Sequence, residues 1–143
     1  MGRIIGIDYG TKRCGIAATD SLRIIASPLT TIHTSELLNF LKDYIKKEQV
    51  DAITVGQPKQ KDGTASMVEQ HIIGFIRKFE AEFPNIKIFR TDERYTSVLA
   101  QQALIQSGAS KKDRQEKGNT DQISAAIILQ SFLDSRTYRE SGI

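Results

Sequence analysis

The spacing of apolar residues changes after Thr31, and this change constrains the fold more than any other feature of the sequence. Up to that residue, three short apolar segments separated by turn residues predict an antiparallel β-meander. Beyond it, segments with helical spacing alternate with short apolar strands. Because a strand that follows a crossover helix returns parallel to its neighbour, the predicted order is βββαβαβα. The expected fold class is α/β, a mixed five-stranded sheet with helices on both faces.

The predicted elements have the following bounds. The five strands are expected at Ile4–Ile7, Cys14–Thr19, Ile24–Thr31, Ala52–Val55 and Ile86–Thr91. The first two helices are expected to begin at a Thr34 or Ser35 cap and at a capping box over Ser66–Glu69. A third helix runs through Val98 to Gly108, and Asp121 opens the last one.

Composition limits the class of protein. A chain of 143 residues is the length of one domain, so residues 1–143 are predicted to form a single domain. Its 39% hydrophobic residues are ordinary for a globular protein, and a net charge of +3 only weakly favours polyanionic partners. Cys14 is the single cysteine, which excludes an internal disulfide and a thiolate metal site. No segment has the length of a membrane helix, and we expect a cytoplasmic protein.

Acidic residues stand where two of the predicted strands end. Asp8 follows the first strand, and Asp92 and Glu93 follow the fifth. If these strands are parallel and separated by one other strand, their carboxyl ends lie at the same edge of the sheet, where ligands bind in α/β folds. Strand alternation does not choose between Asp92 and Glu93, because apolar residues precede each of them on its own face.

A third carboxylate lies on the last predicted helix. Asp121 shares a helical stripe with Ala125, Ile128 and Phe132, which we expect to pack on the sheet. A carboxylate on a buried apolar stripe is costly unless it is neutralised. A divalent ion with a preference for hard oxygen ligands, Mg²⁺ or Mn²⁺, would neutralise three converging carboxylates.

Each carboxylate also has a simpler explanation when it is taken alone. Asp8 could stabilise a turn, and Glu93 could pair with Arg94 or Lys87 at the surface. Asp121 near a helix N-terminus is favourable through the helix dipole. The metal-site hypothesis therefore depends on the convergence of all three.

Basic residues lie close in sequence to each acid and are candidate phosphate contacts. The alternative is a solvated loop, since acidic residues dilute its charge. The candidate nucleic-acid-binding residues are Lys12, Arg13, Arg94, Lys111, Lys112, Arg114 and Lys117.

Four groups of motifs spread along the chain together resemble the YqgF (RuvX) family. This family is described as Holliday junction resolvases or as nucleases of the 16S ribosomal RNA precursor. The resemblance covers essentially the whole chain. It departs locally at Gln57, where the family usually carries an apolar residue, and Ser124 stands where true junction resolvases have a second aspartate. The motifs that carry it are Gly6–Arg13, Gly56 with Pro58 and Asp62–Thr64, Asp92–Ser97, and Asp121 before Ala125–Gln130.

This resemblance implies an RNase H-like fold with Asp8, Glu93 and Asp121 as its catalytic and metal-binding residues, and it favours Glu93 over Asp92. The implied activity is endonucleolytic hydrolysis of phosphodiester bonds with Mg²⁺ or Mn²⁺. The expected substrate is the 16S ribosomal RNA precursor at its 5′ end, within a pre-ribosomal particle. The alternatives are resolution of four-way DNA, or a catalytically silent nucleic-acid-binding assembly factor. Junction resolution needs two symmetric cuts and so a dimer; we expect a monomer or a weak homodimer.

Overall fold

A five-stranded mixed sheet forms the centre of the fold. The computed structural model describes residues 2–58, 67–93 and 117–143. The strands lie in the order β3-β2-β1-β4-β5, with β1, β2 and β3 antiparallel and β4 and β5 parallel to β1. The condition for the two acidic strand ends to meet is therefore satisfied: β1 and β5 are parallel and separated by one strand. Their bounds are β1 Arg3–Tyr9, β2 Arg13–Thr19, β3 Ala26–His33, β4 Val50–Gln57 and β5 Lys87–Asp92.

Four α-helices are present in the described part of the chain. A 3₁₀ turn over Thr34–Glu36 precedes the first of them. The short last helix follows a Ser135 cap and was not predicted, whereas the helix predicted through Val98 to Gly108 lies outside the described residues. Across the described stretches, no helix has the length and apolarity to cross a membrane. The bounds are α1 Leu37–Lys47, α2 Glu69–Glu82, α3 Lys117–Leu133 and α4 Arg136–Ser141.

Strand alternation separates two apolar cores, one on each face of the sheet. Ile5 and Ile7 of β1 pack with the buried residues of α1 and α2. Ile4, Ala17 and Ala52 pack with α3 on the opposite face. The prediction of helices on both faces is therefore confirmed.

Three predicted helix starts were wrong. The α1 helix begins at Leu37, after a 3₁₀ turn whose cap is the His33 ring, because that ring accepts the Ser35 backbone N–H at 3.2 Å. The α2 helix begins at Glu69, whose carboxylate forms an ion pair with Arg90 at 2.5 Å instead of closing a capping box. The α3 helix already includes Lys117, so Asp121 lies at least one turn inside it.

Glycines in two strands allow α3 to lie directly on the sheet. A β-carbon at Gly15 would stand 1.9 Å from the backbone oxygen of Asp121, and one at Gly6 would stand 2.6 Å from the Leu129 β-carbon. A glycine inside a strand often marks such a close backbone approach. The contact at Gly15 fixes the position of Asp121 along the sheet edge.

Candidate active site

Two carboxyl groups meet at the carboxyl edge of the sheet, on the face that α3 covers. Asp8 ends β1 on the side of Ile4, and Glu93 follows β5 on the side of Phe89, which packs in the α3 core. The two side chains share a hydrogen bond. Glu93, and not Asp92, is therefore the acid that faces Asp8.

The space for Glu93 depends on a glycine of the neighbouring strand. A β-carbon at Gly56 of β4 would stand 2.9 Å from Glu93 Oε1 and 2.8 Å from the Ile128 δ-carbon. Any side chain there would displace the carboxyl group or the helix that covers it. Gly56 therefore positions Glu93 beside Asp8 by leaving room for it.

Asp121 of α3 lies near this pair, but its carboxylate forms an ion pair with an arginine. Its negative charge contributes to raising the pKa of Asp8. Its Oδ2 accepts a hydrogen bond from Arg13 Nε at the start of β2, and the Asp121 side chain is 26% exposed. The predicted stripe of Ala125, Ile128 and Phe132 is buried on the sheet, as expected.

The two central carboxyl groups bind protons more tightly than ordinary acids. Burial, followed by the charge and hydrogen bond of Asp8, raises the pKa of Glu93 from 4.5 to about 7. Burial and the charge of Asp121 raise the pKa of Asp8, against the lowering effect of its hydrogen bond with Glu93. Each group is thus destabilised as an anion until a proton or a cation compensates it.

The donor set suits a hard cation, although the side chains as placed join only two of its members. Asp8, Glu93 and Asp121 offer carboxylate oxygens alone, the ligands that Mg²⁺ and Mn²⁺ prefer. Within the described ranges, no group of three or more His, Cys, Asp or Glu side chains is arranged to hold a metal ion. Asp121 would complete the set only when its carboxylate turns from Arg13 toward Asp8.

An ion pair on the opposite face fixes the strand ends beneath the site. Arg90 of β5 pairs with Glu69, and its Nη2 donates to the Gly56 carbonyl oxygen at 3.1 Å. Its charge also lowers the pKa of Glu93 in part. We did not predict this pair from the sequence. The available signal was an arginine at an inward-facing strand position, which requires a buried partner.

The predicted basic residues have different outcomes. Lys12 and Arg13 line a small hollow of about 220 Å³ beside Asp121. Arg13 is occupied by Asp121, so its phosphate contact stays a prediction, as does that of Lys12. Lys117 is described only as the first residue of α3. Arg94, Lys111, Lys112 and Arg114 lie outside the described residues.

The raised pKa of Glu93 predicts how the stability of the metal-free protein depends on pH. A carboxyl group whose pKa is higher in the folded than in the unfolded state stabilises the fold below its unfolded pKa. That stability is lost as the pH rises through the folded pKa. Between pH 4.5 and pH 7, the bounds set by the two pKa values of Glu93, we expect a loss on the order of 2 kcal/mol in unfolding free energy.

The measurement is urea unfolding in chelator at several pH values, for the wild type and for Glu93→Gln. The variant cannot lose this proton, so its stability should rise relative to the wild type as the pH increases. A difference between the two proteins that is constant with pH would contradict the buried Asp8–Glu93 contact.

Comparisons with known proteins identify the family of the chain. A family model described as "RuvX: Holliday junction resolvase" matches residues 2–135. A relative from Flavobacterium johnsoniae, named "Putative pre-16S rRNA nuclease", is 52% identical over 138 residues, covering 96% of this chain and 100% of the relative. A relative of the same name from Phocaeicola vulgatus is 49% identical over 138 residues, covering 96% and 99%.

Solved structures share the fold at low sequence identity. RuvC of T. thermophilus, in complex with a Holliday junction substrate, superposes with a TM-score of 0.55 at 12% identity, covering 94% of this chain and 97% of that one. The Fowlpox virus resolvase, in complex with Holliday junction DNA, gives a TM-score of 0.54 at 15% identity, covering 92% and 97%. The fold is thus the RNase H-like one that the sequence predicts.

Proposed function

The chain belongs to the RuvX family of Holliday junction resolvases, and from this premise we propose that it is a metal-dependent endonuclease acting through Asp8, Glu93 and Asp121. The observation that carries the proposal is the contact between Asp8 and Glu93. These acids come from strands far apart in sequence, and their pKa values are raised because they are buried together. Burial of uncompensated carboxylates at a sheet edge is typical of catalytic sites.

The residues proposed to hold the metal are the three acids, with Asp8 between the other two. A bound Mg²⁺ or Mn²⁺ would supply Lewis acidity toward the phosphate and lower the pKa of water. Asp121 joins the set by leaving Arg13, which frees the Arg13 guanidinium for a phosphate oxygen. The same displacement thus completes the metal ligands and provides a cation for the substrate.

The remaining cations are proposed to bind the substrate backbone. Lys12 lies in the turn between β1 and β2, beside Arg13 and Asp121. Arg94 follows Glu93 directly, and the other proposed contacts precede or open α3. Phosphate contacts of this kind would be independent of sequence. The proposed contacts that precede or open α3 are Lys111, Lys112, Arg114 and Lys117.

The proposed substrate is the 16S ribosomal RNA precursor, cleaved at its 5′ end in the cytoplasm within a pre-ribosomal particle. Relatives near 50% identity over almost the whole chain carry the name of such a nuclease. The second candidate is resolution of four-way DNA, favoured by the description of the family and by the likeness to RuvC. We propose a single domain over residues 1–143, acting as a monomer or a weak homodimer.

The deciding experiment compares two substrates side by side. Purified protein is incubated with RNA that spans the 5′ end of the 16S sequence and with a four-way DNA junction, in Mg²⁺, Mn²⁺ or chelator. We expect cleavage of the RNA that chelator stops and either metal restores. Cleavage of the junction alone would select the resolvase, and binding without cleavage of either substrate would indicate a silent assembly factor.

A further inference from the structure

A cleft lies on the opposite face of the sheet from the carboxylates. It has a volume of about 520 Å³ and is bounded by the end of β1, the 3₁₀ turn before α1, and the first turns of α2. Clefts of several hundred cubic ångströms are the usual size of small-ligand sites. The three acids lie on the other face, so the proposed chemistry leaves this cleft without a role.

Polar and basic groups line one part of the cleft. Lys78 and His71 of α2 stand there with hydroxyl and amide side chains that include Ser35 and Asn39. No acidic residue is present among the described residues of the lining. A lysine among neutral hydrogen-bond donors, without an opposing carboxylate in the lining, suits an anionic group such as a phosphate.

Aromatic side chains line another part of the same cleft. Tyr9 and Phe75 both border it, with their ring centroids 5.9 Å apart. Tyr9 is half-buried and Phe75 is buried. Nucleobases stack on aromatic side chains with little dependence on sequence. A cleft that offers an aromatic surface and a cation together matches the two ends of a nucleotide.

A glycine borders the cleft at a position where neighbouring atoms leave room for a side chain. Gly74 lies inside α2, borders the cleft, and a β-carbon there would meet no heavy atom within 4 Å. Glycine in a helix interior lowers helix stability by roughly 1 kcal/mol relative to alanine. Since no neighbour in the described structure excludes a side chain, a large side chain at this position would extend into the cleft.

A residue that lines the cleft is the sequence neighbour of a residue in the candidate active site. Tyr9 follows Asp8, and consecutive strand residues point to opposite faces. The turn after Tyr9 carries Lys12 and is tied to the cleft side by Thr34, whose Oγ1 donates to the Gly10 carbonyl oxygen at 2.7 Å. A strand leaving the carboxylates can therefore pass over this turn and enter the cleft.

We propose that this cleft binds one nucleotide of the single strand that continues past the scissile phosphate. The base packs at Tyr9 and Phe75, and the phosphate contacts Lys78. The inference rests on the proposed nuclease function, because it assigns a second contact to the same substrate. The proposed ligand is a nucleotide within a strand. Binding of a free mononucleotide is measured separately.

The test measures binding of a labelled single-stranded oligonucleotide by fluorescence anisotropy, without divalent metal. Gly74→Leu fills the cleft and should weaken binding about tenfold, the loss of one stacked base. Lys78→Gln should weaken binding and flatten the slope of log affinity against log salt by about 0.7. The matched control is Arg77→Gln on the same helix, which should bind as the wild type does.

A second measurement reports on the cleft directly. His71 borders the cleft, so its ring signal reports on the cleft in NMR spectra. We expect the oligonucleotide to shift the His71 signal, and a mononucleotide to do so only at much higher concentration. An unshifted His71 signal, or unaltered binding by both Gly74→Leu and Lys78→Gln, would overturn the proposal.

Failure of the cleft site and failure of the nuclease function would give different results. If the wild type binds the oligonucleotide and shifts His71 but cleaves nothing, the nuclease function is wrong and the cleft site stands. If the wild type cleaves RNA and Gly74→Leu cleaves it with an unchanged KM, only the cleft proposal is wrong. Circular dichroism of Gly74→Leu checks its fold. If Gly74→Leu is unfolded, binding by Lys78→Gln and the NMR shift of His71 test the cleft proposal in its place.

Discussion

Replacing Asp8 with asparagine is expected to lower the cleavage rate by roughly 10³-fold, because several kcal/mol of metal-dependent stabilisation disappear with its charge. The same variant should melt at a higher temperature than the wild type in chelator. Asp8 is half-buried beside Glu93 and near Asp121, and both desolvation and the charge of Asp121 disfavour its ionised form. Asparagine keeps the shape of the side chain and removes the charge.

Activity assays and thermal melts, first in chelator and then with Mn²⁺, test both parts of this prediction. The matched control is Asp92→Asn, one residue before Glu93 and on the other side of the strand, which should cleave as the wild type does. Asp121→Asn should lose activity without gaining stability in chelator, since it also loses its pairing with Arg13. A less stable Asp8→Asn that still responds fully to Mn²⁺ would identify Asp8 as a structural turn residue.

The second large effect is expected at Gly15, where alanine should lower the unfolding free energy by about 3 kcal/mol or more. The added carbon would stand 1.9 Å from the Asp121 backbone oxygen and 2.2 Å from its carbonyl carbon. Both neighbours are backbone atoms of a helix, so no side-chain rotation relieves the contact. α3 must move away from β2 and take Asp121 with it.

Urea unfolding measures this loss, with Gly74→Ala as the control glycine substitution. That position has open space and lies inside a helix, so alanine there should raise the unfolding free energy by about 0.5–1 kcal/mol. A Gly15→Ala protein as stable as the wild type would contradict the close packing of α3 on β2.

The strand order and the two-sided core follow from features that are local in sequence. Alternation within Ile4–Ile7 and Ala52–Val55 marks strands, and the crossover rule orders them. Choosing Glu93 over Asp92 required information beyond these local features, because the sequence does not show which face of the sheet α3 covers. Phe89 could be assigned to that face only from its packing in the α3 core.

Contacts between distant segments were the least predictable part of the site. Arg13 and Asp121 are 108 residues apart, and nothing near either residue indicates that they pair. Arg13 was predicted to bind phosphate because it lies close in sequence to Asp8. Gly15 did carry a signal, since glycine inside an apolar strand is unfavourable unless another backbone approaches it.

The place of α3 in the chain has a consequence for synthesis. Domains emerge from the ribosome N-terminus first, and α3 follows all five described strands in the chain. Until it emerges, the sheet face carrying Ile4, Ala17 and Ala52 lacks its cover, and Asp8 and Glu93 lack their third carboxylate. Under the proposed function, the part of the chain made before α3 cannot hold a metal with all three carboxylates, so we expect it to be inactive as a nuclease until α3 has packed on the sheet.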